Sequence, residues 1–341
     1  MLSYESFKSV LLADLPSMMP ERFSDVHFEI GHTTKVNVSY ECLVMRNDIQ
    51  GREISPSMNL EDIYQDYSNG RDLDEIETSL VNTYVISAMT AERESGSIDD
   101  FYQNAEKKIY FQLINSEQNR EMIEDIPHRD FMNLTVIYRL CVGRDENGIA
   151  STVIDHGMAA RIGMDEETLY KCAAKNTKDM FPVRVVPIKT VMREIIGADV
   201  PEDLADEIID DLPGENIMYV ITNSIGLNGA ASILYEEELH QLADKIEDDL
   251  YILPSSIHEC LAVSTSFFSA EELSLLVYHA NQDVVGIQDR LSNDVYMYDR
   301  EARKITQVTD SPYKRLDDMD PEPRIDAVLR GDYEAPERGA R

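Results

Sequence analysis

The chain has 341 residues, length enough for two domains of ordinary size, and its 43% apolar content is that of a globular protein. No apolar run approaches the roughly 20 residues that cross a bilayer. A formal charge of -34, from 31 basic and 65 acidic residues, works against direct binding to nucleic-acid phosphates or anionic membranes.

The N-terminus, "MLSYESFKSVLLADLPSMM", has neither a basic leader nor a continuous apolar core. Leu2, Phe7, Val10 and Leu11 share one helical face, which predicts a surface helix and a cytoplasmic protein. "VHFEIGHTTKVNVSYECLVMR" reads as a β-hairpin, with Val26, Phe28 and Ile30 alternating on one arm and Val38, Tyr40, Cys42 and Val44 on the other. Helices follow near Leu60–Tyr67 and from Leu73 to about Glu94, the latter carrying Ile76, Leu80, Tyr84 and Ala88 at a four-residue spacing. "KKIYFQLI" predicts a strand, "EQNREMIEDI" a short helix, and "FMNLTVIYRLCV" a long strand turned by "DENG" into "IASTVI". Asn147-Gly148 suits that turn because both residues tolerate positive φ. Asp165 caps a helix over "DEETLYKCAAKNT", and Pro187 and Gly197 bracket another.

An acidic segment, "DVPEDLADEIIDDLPGEN", separates this half from the next. Between Glu194 and Asp244 stand 13 carboxylates and no lysine or arginine. The second half reads "NIMYVIT" (strand), "EEELHQLADKI" (helix), "DLYILP" and "HECLAV" (strands), "SAEELSLLVYHA" (helix, with Ser269 and Glu272 as a capping box) and "DVYMYDREARKITQV" (hairpin). Prolines and mixed charge beyond Asp310 predict a flexible tail. The expected class is therefore α+β, with antiparallel hairpins and amphipathic helices in two halves: residues 1–197, an acidic linker or short helix at 198–215, residues 216–309, and a tail at 310–341.

Most motif chemistry is absent. There is no phosphate-binding G-x-x-x-x-G-K-[ST], and "GLNGAA" at 226–231 has too few glycines to replace it. "HRDFMNL" lacks the asparagine a kinase loop needs at position 135, which is Thr135, so His128, Arg129 and Asp130 read as a polar loop before a strand. "DENGIASTVID" has its glycine at the wrong place for a calcium loop. Cysteines 42, 141, 172 and 260 have neither the spacing of a disulfide framework nor that of a zinc site; no metal and no cofactor is expected.

"YILPSSIHECLAV" (251–263) concentrates the remaining polar chemistry. In an extended chain Ser256, His258 and Cys260 share a face, which makes either Ser256 or Cys260 a candidate nucleophile with His258 as base. Glu259 points the other way and cannot orient the ring, no G-x-S-x-G elbow is present, and the alternative of a buried strand entered through a polar turn needs less. "TNSIGLNGA" (222–230) tolerates unusual φ/ψ directly after a core strand. If it lies beside Ser255–Glu259, then Asn223, Asn228, Ser255 and Glu259 line the best candidate binding pocket.

The blocks "KVNVSYECLVM", "LINSEQNREMIEDIPHRDFMNLTVIYRL", "GMDEETLYKCAAKNT", "MYVITNSIGLNGAASILY", "LYILPSSIHECLAV" and "VYMYDRE" together resemble a bacterial family known as domain of unknown function 5688. The resemblance runs from the first helix to about Val308 and implies a cytoplasmic bacterial protein, without an activity, cofactor or catalytic residue to carry over. The leading expectation is a non-catalytic protein that binds a basic protein partner through its acidic surface. The alternatives are a hydrolase or transferase using Ser256 or Cys260 with His258, and an acidic mimic of DNA that inhibits a DNA-binding protein. Oligomeric state is left open.

Overall fold

A computed structural model describes residues 1–46, 48–49, 52–53, 57–93, 102, 104–145, 148–196 and 218–317. The fold is mixed α+β with antiparallel sheets, and the chain divides into two compact units, Met1–Gln103 and Asn104–Arg341. The acidic segment expected at 198–215 lies outside the described residues.

In the first unit, helix α1 (Tyr4–Met18) is capped by Ser3, whose Oγ accepts from the Ser6 N–H. It buries Phe7, Leu11 and Leu15 at four-residue intervals. Strands β1 (His27–Lys35) and β2 (Val38–Arg46) form the expected hairpin, closed across Asn37 at a φ of 65°. The register pairs Phe28 with Met45 and Ile30 with Leu43, so the face of β2 that joins the main core carries Leu43 and Met45. That corrects the expected face of Val38, Tyr40, Cys42 and Val44: Cys42 and Val44 are buried too, but the two-residue turn sets them on the opposite side of the pleat. Two short strands, β3 (Asp48–Ile49) and β4 (Arg52–Glu53), pair with each other, and β5 (Ser57–Asn59) pairs with β2. Helix α2 (Leu60–Ser68) is capped by Asn59, and α3 (Leu73–Arg93) places Ile76, Leu80 and Tyr84 in the same core. The Tyr84 hydroxyl donates to Leu43 O at 2.7 Å, so this buried ring keeps a polar partner.

The second unit contains two sheets. In one, β8 (Leu134–Asp145) is central. It pairs with β6 (Ile109–Asn115) along one edge, and along the other with β7 (His128–Phe131) and then β9 (Gly148–Val153). The expected long strand from 131 is thus two strands. Met132 adopts a φ of 59° between Phe131 and Leu134, and "HRDF", expected as a loop, becomes β7 of a hairpin. Helix α4 (Arg120–Glu124) precedes β7, and α5 (His156–Ile162) follows β9 under an Asp155 cap. Helix α6 (Glu166–Met180), capped by Asp165 as expected, covers one face of this sheet. Its Thr177 Oγ1 accepts from the Phe111 N–H at 2.9 Å, and Tyr170 packs on the Phe111 ring at 5.1 Å.

The other sheet is wholly antiparallel, in the order β10 (Val183–Pro187), β11 (Met218–Asn223), β13 (Cys260–Ser264), β12 (Leu250–Leu253), β14 (Tyr296–Asp299) and β15 (Lys304–Gln307). Strands from both sides of the acidic segment, β10 and β11, are therefore neighbours in one sheet. Helix α7 (Ile188–Ile196) follows β10, α8 (Glu236–Ile246) follows a 3-10 turn at Gly229–Leu234, and α9 (Ala270–Asp283) starts on the Ser269–Glu272 capping box. Leu253, Val263, Leu273, Val277 and Val295 form the core between this sheet and α9. The chain beyond Asp310 stays attached as far as Asp317. The Ser311 N–H donates to the buried Asp294, Tyr313 packs on Tyr278 at 5.0 Å, and Leu316 is fully buried. Composition hides that docking because it depends on single contacts with distant residues.

Candidate functional site

The turn at 254–259 is held by its backbone. Ser292 N–H donates to Pro254 O, Leu291 N–H to Ser255 O, and Ile257 N–H to Asp289 O. Bends at Ile257 and His258 interrupt the strand that "HECLAV" predicts, so β13 begins only at Cys260 and the strict alternation of Ser256, His258 and Cys260 does not apply. Ser256 is buried, and its Oγ accepts from the His258 backbone N–H at 3.0 Å. Cys260 is fully buried, and burial pushes its thiol well above the usual range.

The His258 ring is gripped from both sides. Its Nδ1 accepts from the Asn228 backbone N–H at 3.3 Å, so the ring proton sits on Nε2, which faces Asp289 Oδ1 at 3.3 Å. The sequence alone does not identify an acid behind the ring; Asp289 occupies that place, 31 residues on. Both ring nitrogens of His258 thus face partners within the protein itself.

The 222–230 loop does lie beside this turn, in direct contact. Thr222 Oγ1 donates to His258 O at 2.8 Å, and the Ala230 N–H donates to Ile257 O. Gly229 sits so close that a Cβ there would fall 2.2 Å from Thr222 Oγ1 and 2.4 Å from His258 O. Asn223 is buried and folds the loop on itself: its Nδ2 donates to Leu227 O, and its Oδ1 accepts from the Ile225 N–H. Asn228 turns the chain at a φ of 53°. Of the expected pocket residues, then, Asn228 meets the Ser255–Glu259 turn through His258, while Asn223 shapes the loop from within, and loop and turn together form a latch. Ser255 and Glu259 are half-buried at its margin.

The open space lies on the far side of the same loop. A cleft of about 240 Å³ separates it from the β6–β8–β9 sheet, with Asn228 on its rim. Tyr110, Ile149, Phe181, Ile225 and Leu227 give it an apolar wall. Its polar floor is Gln112, Arg139 and Ser151, one from each of three adjacent strands. Arg139 donates from Nε to Ser151 Oγ at 3.0 Å, from Nη1 to Gln112 Oε1 at 3.0 Å, and from Nη2 to Ser151 O at 3.2 Å. The Tyr110 hydroxyl also donates to Ser151 Oγ, at 2.9 Å. Neither Gln112 nor Arg139 stood out in the sequence as a site residue. The available signal was a single polar residue inside each of two apolar strands, "IYFQLIN" and "TVIYRLCV".

The described acids of the 194–244 stretch are engaged by the protein's own cations. Glu194 pairs with Arg184, Glu236 and Glu237 with Arg303, Glu238 with Lys178, and Asp244 with Arg300. No group of three His, Cys, Asp or Glu side chains converges to hold a metal among the described residues. No described helix is long and apolar enough to cross a membrane.

Comparison with protein families matches residues 4–300 to DUF5688, a family of unknown function. The chain belongs to that family. No curated protein and no solved structure matches it.

Proposed function

We infer that the protein acts by binding, and that its second unit holds a small molecule in the cleft between the 223–228 loop and the β6–β8–β9 sheet. The observation that carries this reading is the cleft itself: an apolar wall and a polar floor face the same space. The Ser255–Cys260 segment then serves as the anchor for the loop, with the Ser256 hydroxyl, the His258 imidazole and the Cys260 thiol engaged in structure. Four unpaired cysteines suit the reducing cytoplasm in which this reading places the protein. The expected docking of a basic partner on the acidic surface rests mainly on carboxylates between 199 and 215, which lie outside the described residues.

A ligand-observed NMR screen of small fragments against the full chain and a Leu227→Trp variant tests the reading. Leu227 is 40% exposed on the cleft wall, so the larger ring fills space without entering the core. Fragments that bind the wild type and lose contact with the variant support cleft binding. A set of fragments that binds both proteins equally, or neither, overturns it.

A further inference from the structure

We propose that the cleft selects a small organic carboxylate, its charged head seated on Arg139 and Gln112 and its apolar body lying against Phe181 and Ile225. This rests on the cleft-binding reading and adds the chemical class of the ligand.

Donors and acceptors at the floor of the cleft do not balance. A guanidinium carries five N–H groups and can only donate. Three of Arg139's are engaged, all by neutral oxygens, which leaves one on Nη1 and one on Nη2. No carboxylate pairs with Arg139 among the described residues, in a chain where Asp and Glu outnumber Lys and Arg by 65 to 31. Because Nη1 only donates, the Gln112 atom facing it is the carbonyl oxygen, and the amide NH2 is turned away. That NH2 has no hydrogen-bond partner among the described residues. Ser151 Oγ already accepts from Tyr110 and Arg139, so its own proton is left to donate. The floor therefore offers N–H and O–H groups and an uncompensated positive charge. A neutral ligand leaves that charge unmatched; a cation is repelled by it.

Two further features narrow the anion. Paired N–H groups on neighbouring guanidinium nitrogens match the two oxygens of a carboxylate, a contact stronger than one between neutral groups. Inorganic phosphate satisfies the same donors and makes no use of the apolar wall. A carboxylate with a short aliphatic or aromatic body uses both, within a volume of about 240 Å³.

Benzoate, its neutral isostere benzamide, and inorganic phosphate serve as probes, titrated into the isotope-labelled full chain while the Arg139 Nε–H resonance is followed. Benzoate is expected to shift that resonance at millimolar concentration and to bind at least about tenfold more tightly than either benzamide or phosphate. The Arg139→Gln variant should lose that preference. Gln112→Glu gives the guanidinium an internal carboxylate without changing side-chain length, and should lose benzoate binding while keeping the fold. Benzamide binding in the cleft as tightly as benzoate overturns the carboxylate assignment and leaves cleft binding standing. Phosphate binding best replaces the carboxylate with an inorganic anion. Silence of all three probes at the cleft resonances overturns both readings.

Discussion

Substituting Gly229 by alanine asks whether the latch holds the loop. The added Cβ would meet Thr222 Oγ1 at 2.2 Å, His258 O at 2.4 Å and Asn223 N at 2.9 Å, and two of those three atoms are backbone. Relief requires the 3-10 turn and the 258 carbonyl to separate by about 1 Å, an overpacking cost of about 1–3 kcal/mol. That separation also breaks the hydrogen bonds from Thr222 Oγ1 to His258 O and from Asn228 N–H to His258 Nδ1, each worth about 1 kcal/mol. The sum is about 3–5 kcal/mol, or roughly 6–20 °C in midpoint for a unit of this size. Urea and thermal unfolding of the full chain by circular dichroism measure the loss, and hydrogen exchange at 1–103 serves as the unaffected reference. Gly163→Ala is the control. Gly163 has a φ of 72° and open space around it, so only the backbone penalty of about 1–2 kcal/mol applies. Adding Thr222→Ala to Gly229→Ala removes one clash and leaves the two with backbone atoms, so recovery should be partial. Gly229→Ala within about 0.5 kcal/mol of wild type would refute the close approach on which the latch rests.

Two carboxylates give predictions of opposite sign. Glu77 on α3 is 5% exposed, and its Oε1 has no hydrogen-bond partner; burial, and then the charges of Asp14 and Asp74, raise its carboxyl above the ordinary 4.5. Its contribution to stability is thus full below pH 4.5 and lost as pH rises through the raised value, so Glu77→Gln should stabilise the first unit by about 1 kcal/mol at neutral pH. The gain should vanish near pH 4, and a variant less stable than wild type at pH 7 would contradict the assignment. Asp248 lies in the opposite situation. It is partly buried, which raises its carboxyl, but hydrogen bonds from Ser264 and Ser266 outweigh that and hold it down at about 2. Its contribution is present above pH 3.8 and lost as pH falls toward 2. Asp248→Asn should therefore cost about 1–2 kcal/mol at neutral pH after allowance for solvent screening, a cost that an acid titration of both proteins should show closing between those limits.

Local signals were legible in the sequence where the chain alone decides them. Ser269 with Glu272, and Asp165 before α6, cap helices because the partner lies three residues away. Asp145 pairs with Gly148 where β8 meets β9, so Gly148 is a strand residue, and Asn147 of the expected turn lies outside the described residues. The face of β2, in contrast, depended on register, and a one-residue difference exchanged Val44 for Met45 in the main core. The candidate site divided along the same line. Sequence brought Asn223, Asn228 and the 255–259 turn under suspicion, and the loop does meet the turn, at Asn228 and not at Asn223. It could not show that they meet without a gap, since contact rests on the missing side chain at Gly229. Arg139 and Gln112 escaped notice because 27 residues separate them. Only the pairing of β6 with β8 makes them neighbours.

An acidic protein and an anion-selective cleft are compatible because the two act over different distances. A charge of -34 spread over the surface repels a polyanion that must contact many sites at once, which is the case for a nucleic acid or a membrane. For one small carboxylate that repulsion is screened beyond about 10 Å at 0.1 M salt, whereas hydrogen bonds formed inside a cleft are screened much less. What decides binding is then the local floor, where Arg139, Gln112 and Ser151 present donors. The latch shapes the same cleft. Ile225 and Leu227 form the opposing wall only because Asn223 folds their loop and His258, held by Asp289, fixes Asn228 at its end. A change at His258 should therefore weaken binding by displacing the wall, with the donors of the floor left intact.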